Sequence, residues 1–117
     1  MVSPLKIESR REGADIGILS LVGEVDIATK ESLREAAERL LAEGAKKLLV
    51  ELSGVEYMDS AGLGVLKALR SQLLELGGVV VIVGARGSVA KLFETTRFDQ
   101  AFPMYADPAT ALQEVGR

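Results

Sequence analysis

Five consecutive β-branched residues, Val79-Val80-Val81-Ile82-Val83, stand between Gly77-Gly78 and Gly84-Ala85-Arg86-Gly87. A run this short, apolar on every side chain and bounded by glycines, reads as a strand covered on both faces. That environment is the middle of a parallel sheet, and a parallel sheet needs crossover helices. Leu48-Leu49-Val50-Glu51-Leu52 is a second buried strand, followed by a loop through Ser53-Gly54-Val55-Glu56-Tyr57.

The stretches between these runs carry helical periods. From Thr29 to about Glu43, Leu33, Ala36, Ala37, Leu40 and Leu41 form one stripe, and Gly44 ends it. From Ser60 to about Leu76, Leu66, Leu69, Leu73 and Leu76 form another, closed by Gly77-Gly78. Ser88 opens a short helix to Thr96 with Val89, Leu92 and Phe93 inward, and Phe102–Tyr105 is a last short strand. Asp107-Pro108 sets a capping carboxylate before a proline at the first helical position, and the helix beyond it buries Ala111, Leu112 and Val115.

The N-terminal part has a different period. Leu5, Ile7 and Ser9 alternate with Lys6, Glu8 and Arg10, Glu12–Asp15 has turn chemistry, and Gly17–Val25 is a more apolar strand. An antiparallel edge hairpin therefore precedes the alternating units. The expected fold class is α/β: one domain over residues 1–117, with a mixed, mainly parallel sheet of four or five strands and about four helices. The loops after the strands should then share one rim, bringing Asp26, Asp59-Ser60 and Gly84–Gly87 together.

Composition narrows the chemistry available there. The chain of 117 residues has no cysteine and no histidine, which removes thiol and imidazole catalysis and the softer metal ligands. Neither a catalytic residue, nor a cofactor site, nor a metal site is expected. A formal net charge of −3 without a basic stripe disfavours nucleic acid and anionic membranes as partners. Met1-Val2-Ser3-Pro4 does not open a signal sequence and no apolar run is long enough to span a bilayer, so the expected location is the cytoplasm without membrane insertion.

The chemistry that remains centres on Met58-Asp59-Ser60-Ala61-Gly62-Leu63-Gly64 at a strand-to-helix junction. Gly62-Leu63-Gly64 begins a dinucleotide fingerprint, but Lys67 stands where the third glycine belongs, and there is no Walker loop. Met58 replaces the first glycine of a nucleophile elbow, so Ser60 is not a hydrolase serine. Two readings of Asp59-Ser60 stay open: a helix cap, or a hydroxyl that accepts a phosphoryl group tolerated by first-turn N–H groups and the helix dipole. On a helical wheel starting at Ser60, Leu63, Gly64 and Lys67 share its face, which reads as a partner-docking surface with Leu63 in the contact, and Leu66, Leu69 and Leu73 turn inward. Gly64 on that face costs about 1 kcal/mol of helix propensity relative to alanine, as expected where another backbone approaches closely. Asp26 either caps the helix from Thr29 or stands beside Ser60 and helps orient a kinase or its magnesium. Arg86 and Arg97 read as solvated loop residues.

In Leu21-Val22-Gly23-Glu24-Val25-Asp26, in Leu48–Gly54 leading into Tyr57–Leu66, and in the Phe93–Phe102 region, the chain resembles the STAS domain family. The likeness is greatest to its small stand-alone members, the bacterial anti-sigma factor antagonists. The resemblance implies that Ser60 is a phosphoacceptor, Asp59 its neighbouring acid, and Asp26 part of the same partner-facing rim. It implies further that the unphosphorylated protein binds an anti-sigma factor, itself a serine kinase of the histidine-kinase-like ATPase fold, and so frees a sigma factor. Phosphorylation would end that binding and a serine phosphatase would restore it. Glu51 departs from the aspartate expected at its position. The family also contains regulatory subunits of membrane lipid or solute transporters, which is the alternative reading.

Overall fold

The computed structural model describes residues 5–116; the N-terminal Met1–Pro4 reading lies outside the described residues. The chain runs β1 (Lys6–Glu12), β2 (Ile16–Val25), α1 (Lys30–Ala42), β3 (Lys47–Met58), α2 (Ser60–Glu75), β4 (Val79–Val83), α3 (Gly87–Thr95), β5 (Met104–Tyr105) and α4 (Pro108–Val115). The five strands form one sheet in the order β1-β2-β3-β4-β5, with β1 antiparallel to β2 and every other pair parallel.

Strands that advance in one direction with right-handed crossovers place successive helices on one face. Accordingly Leu33 and Leu40 of α1, Leu66, Leu69 and Leu73 of α2, and Val89 and Phe93 of α3 pack with Leu19, Leu48, Val50, Val80 and Ile82 in the main core. The opposite face is covered by α4, whose Ala111 packs with Ile18, Leu49, Val81 and Val83. The alternating residues of β4 are thus buried on both sides, as its β-branched run requires.

Two expectations are corrected. Leu76 is 53% exposed and lies just beyond α2, because Gly77 adopts φ 76° and the amide of Gly78 returns to the carbonyl of Leu73 at 2.7 Å. The second correction concerns Ser53–Tyr57, which is strand and not loop. Against β2, β3 carries two extra residues: Ser20 pairs with Glu51 but Val22 with Gly54, and Gly23 pairs with Val55 but Glu24 with Tyr57. Glu51 serves the first irregularity. Its Oε1 accepts the Ser53 amide at 2.9 Å and the Ser53 hydroxyl at 2.6 Å, satisfying groups near the slip. Gly54 is required there as well, since a Cβ would lie 2.8 Å from Val22 Cγ2 and 2.9 Å from the carbonyl oxygen of Leu21.

The bulged extension of β3 also changes the rim. Val83, the last residue of β4, pairs with Glu51, and β3 continues to Met58. The Gly84–Gly87 turn is consequently tied to the middle of β3, with Arg86 Nε donating to the Ser53 carbonyl at 2.9 Å and Ser88 Oγ to the Glu56 carbonyl at 3.2 Å. These bonds reach β3 at Ser53 and Glu56, and among the described residues no hydrogen bond joins the turn to Asp59 or Ser60.

Candidate functional site

Val25 pairs with Met58 at the carboxyl ends of β2 and β3, so Asp26 and Asp59 leave the sheet from adjacent strands, about 4.8 Å apart in spacing. Each aspartate organises its own turn. Asp59 is the N-cap of α2: its Oδ1 accepts from the amides of Ala61 at 2.9 Å and Gly62 at 3.1 Å. Asp26 Oδ1 accepts the amides of Ala28 at 2.9 Å and Thr29 at 3.1 Å. The Thr29 hydroxyl in turn accepts the Asp26 amide at 3.0 Å and donates to the Glu24 carbonyl at 2.8 Å. Asp26 thus closes the turn ahead of α1 and does not cap the helix as expected: the N-cap is Thr29, and α1 has no side-chain cap hydrogen bond.

This division of labour separates the two readings of Asp59-Ser60. The cap belongs to Asp59, and Ser60, the first residue of α2, is exposed with no hydrogen-bond partner for its hydroxyl among the described residues. The same geometry revises the expectation that first-turn N–H groups would receive a phosphoryl group. Asp59 already occupies the amides of Ala61 and Gly62, and the Leu63 amide bonds to the Asp59 carbonyl at 3.2 Å. A phosphate on Ser60 would project into solvent beside a carboxylate.

Gly64 and Lys67 share the exposed face of α2 with Ser60, as the wheel predicts. Leu63 does not. It is 3% exposed and packs in the main core, because the first turn of α2 lies close over the ends of β2 and β3 and the residue flanking the stripe is drawn inward. Gly62 permits that approach: a Cβ there would lie 2.8 Å from Val25 Cγ1 and 2.9 Å from Met58 Cγ. The apolar contribution to the rim comes instead from Ile27, 69% exposed in the turn that Asp26 organises, and from Tyr57, 48% exposed on the last part of β3. Sequence periodicity could not find Ile27, which belongs to no repeat; the one signal was a large apolar residue inside a polar turn. Arg97 is exposed at the far end of α3, where it adopts φ 63°.

A carboxylate–hydroxyl–glycine junction on a bulged, mostly parallel five-stranded sheet with an antiparallel edge matches a known architecture over nearly all of its length. A family profile described as the STAS domain matches residues 9–111. The chain belongs to the STAS domain family. Among curated proteins, this STAS domain is 32% identical over 101 residues to the anti-sigma-F factor antagonist RsfB of Mycobacterium tuberculosis, covering 86% of this chain and 81% of that protein. It is 37% identical over 78 residues to an anti-sigma-B factor antagonist of Staphylococcus aureus, covering 63% of this chain and 68% of that protein. Among solved structures, an anti-sigma factor antagonist from Mycobacterium paratuberculosis superposes with a TM-score of 0.87 at 28% identity, over 100% of both chains. Among the described residues of the STAS domain, no helix is long and apolar enough to cross a membrane.

Proposed function

We propose that this chain is an anti-sigma factor antagonist whose binding is switched by phosphorylation of Ser60. The observation that carries the reading is the free hydroxyl of Ser60 on an exposed first turn whose cap is supplied by its neighbour, Asp59. The names of the relatives support the same class of partner.

In this reading the unmodified rim, with Asp26, Ile27, Tyr57, Asp59, Ser60, Gly64 and Lys67, docks on an anti-sigma factor and displaces the sigma factor it holds. The partner is a serine kinase and carries the catalysis. Its magnesium-ATP transfers the γ-phosphoryl group to Ser60 Oγ; the bond to the β-phosphate oxygen breaks, ADP leaves, and the hydroxyl proton passes to a base of the kinase. The chain is the acceptor and not an enzyme.

The product carries about −1.5 to −2 charges at neutral pH in the middle of the contact. No first-turn amide of Ala61, Gly62 or Leu63 is free to receive it, and the Asp59 carboxylate stands next to it. Desolvating that charge at an interface without matching cations costs several kcal/mol, enough to lower affinity by orders of magnitude without refolding. A serine phosphatase resets the state. The setting is the cytoplasm, where sigma factors act.

The test is incubation with the cognate kinase and ATP followed by intact mass, with calorimetry of the complex. Ser60→Ala should bind the partner and gain no phosphate, while Ser60→Asp should bind far more weakly. A phosphate on Ser60→Ala, or an unchanged Kd for Ser60→Asp, would overturn the reading; recovery of a transporter subunit as the binding partner would favour the other branch of the family.

A further inference from the structure

Strand β1 is the outer strand of the sheet, and its edge away from β2 pairs with no other strand among the described residues. The unpaired N–H and C=O groups along such an edge are a template for another strand. Lys6, Glu8, Arg10 and Glu12 stand two residues apart on one face of β1, all exposed, and their signs alternate along the strand. Arg11 points to the opposite face, where it donates to the carbonyls of Ala14 and Glu43.

The chain does not match these four charges across its own sheet. The β2 residues opposite them are Val22, Ser20, Ile18 and Ile16, none of which is ionisable. Arg10 reaches Glu12 at 3.0 Å along the strand. Lys6 and Glu8 make no ion pair among the described residues, and that includes Glu24, two residues beyond Val22 on β2.

A strand whose charges run plus, minus, plus, minus is complementary to its own reversed copy. With Ser9 opposite Ser9 of a second copy in an antiparallel pair, Lys6 faces the other Glu12, Glu8 faces the other Arg10, and two more pairs repeat these by symmetry. Every direct cross-strand pair of this face is then of opposite charge. A slip of two residues either way, the smallest that keeps both charged rows on one face, sets Glu8 against Glu8 or Arg10 against Arg10 and brings like charges together at every charged pair. Opposite charges directly across a ladder stabilise it and like charges destabilise it, so the pattern selects one register.

We infer that β1 is a self-association edge through which two copies of this chain join about a two-fold axis at Ser9, merging their five-stranded sheets into one. The contact is isologous and closed, so it ends at two copies. Two strands of seven residues make a small interface, and the association is accordingly weak and concentration-dependent. It goes beyond the antagonist reading and does not rest on it: Ser60 follows β3, two strands in from this edge.

The experiment is sedimentation equilibrium from micromolar to millimolar chain concentration on wild type, Glu8→Lys, Arg10→Glu, the double variant Glu8→Lys/Arg10→Glu, and an equimolar mixture of the two single variants, with thermal melts of each. Wild type should dimerise. Each single variant places like charges opposite one another at two pairs and should weaken the dimer by roughly tenfold, with melts unchanged because the side chains are exposed. The double variant and the mixture both return opposite charges to every direct pair and should recover the dimer. Ser9→Cys, which would be the sole thiol of the chain, should cross-link two copies on mild oxidation, since directly opposed antiparallel residues have Cα atoms about 4.5–5.5 Å apart. Lys6→Cys, remote from its symmetry mate, should not. Wild type that stays monomeric at millimolar concentration overturns the proposal and leaves β1 an edge that its charges protect. A dimer that the single variants do not weaken, a mixture that fails to reassociate, or equal cross-linking of the two cysteine variants overturns it too, by placing the contact on another surface or in another register.

Discussion

The amide of Asp59 donates to the carbonyl of Val25 at 3.1 Å, extending the β2–β3 ladder one residue past its last paired position, Val25 and Met58. Through this bond the N-cap of α2 is held against the strand that leads into the Asp26 turn. The position of the Ser60 hydroxyl is thus set by backbone pairing and not by any contact of its own.

Because Asp59 supplies the cap, Asp59→Ala should lower stability by about 1 kcal/mol, while Asp59→Asn, which keeps an acceptor oxygen, should lose much less. Chemical denaturation measures both. Equal losses would mean that the carboxylate charge and not the cap is what α2 needs.

The two glycines of Gly62-Leu63-Gly64 should respond with opposite signs. Gly62→Ala forces a methyl group to within 3 Å of Val25 and Met58 and should destabilise the fold by about 1–3 kcal/mol. Gly64→Ala adds a methyl group where nothing lies within 4 Å and should stabilise it by about 0.5–1 kcal/mol. Matched urea titrations of the two variants decide the point.

Leu63→Ala should behave as a core deletion, with a loss of about 2–5 kcal/mol. Its effect on partner binding should then follow the fraction of folded protein, and a folded Leu63→Ala with selectively lost affinity would return Leu63 to the interface. Ile27→Ala should show the converse pattern, with stability within about 0.5 kcal/mol of wild type and weaker binding by calorimetry.

One carboxylate gives a pH prediction. Asp107 caps α4, accepting the Thr110 amide at 2.8 Å and the Thr110 hydroxyl at 3.1 Å, and these bonds hold its carboxyl below the usual aspartate range. A depressed folded-state pKa stabilises the fold above the unfolded value, and that contribution disappears as pH falls through the lower, folded one. Acid should therefore loosen α4 in wild type, and Asp107→Asn should flatten the stability profile across the acidic range in melts.

Much of the architecture was legible because it rests on local rules. Val79–Val83 maps onto β4 residue for residue, Asp107-Pro108 opens α4, and Gly44 follows α1 with φ 105°. Those features depend on period, cap and turn chemistry, which are written in neighbouring residues. The extension of β3 was not legible. Ser53–Tyr57 has loop composition, and only pairing with β2, with Glu51 bonding Ser53 and Gly54 making room for Val22, keeps it in the sheet.

The same distinction runs through the site. Sequence alone determined that a hydroxyl would stand at a strand-to-helix junction between an acid and two glycines, and that no thiol or imidazole would be near it. Tertiary structure decided which of Asp59 and Ser60 caps the helix, that Leu63 belongs to the core while Ile27 and Tyr57 face out, and that Gly64 borders an open groove. A helical wheel gives directions around an axis, but burial depends on how closely that axis approaches the sheet. That distance is a property of the packed whole, set here by Gly62 against Val25 and Met58.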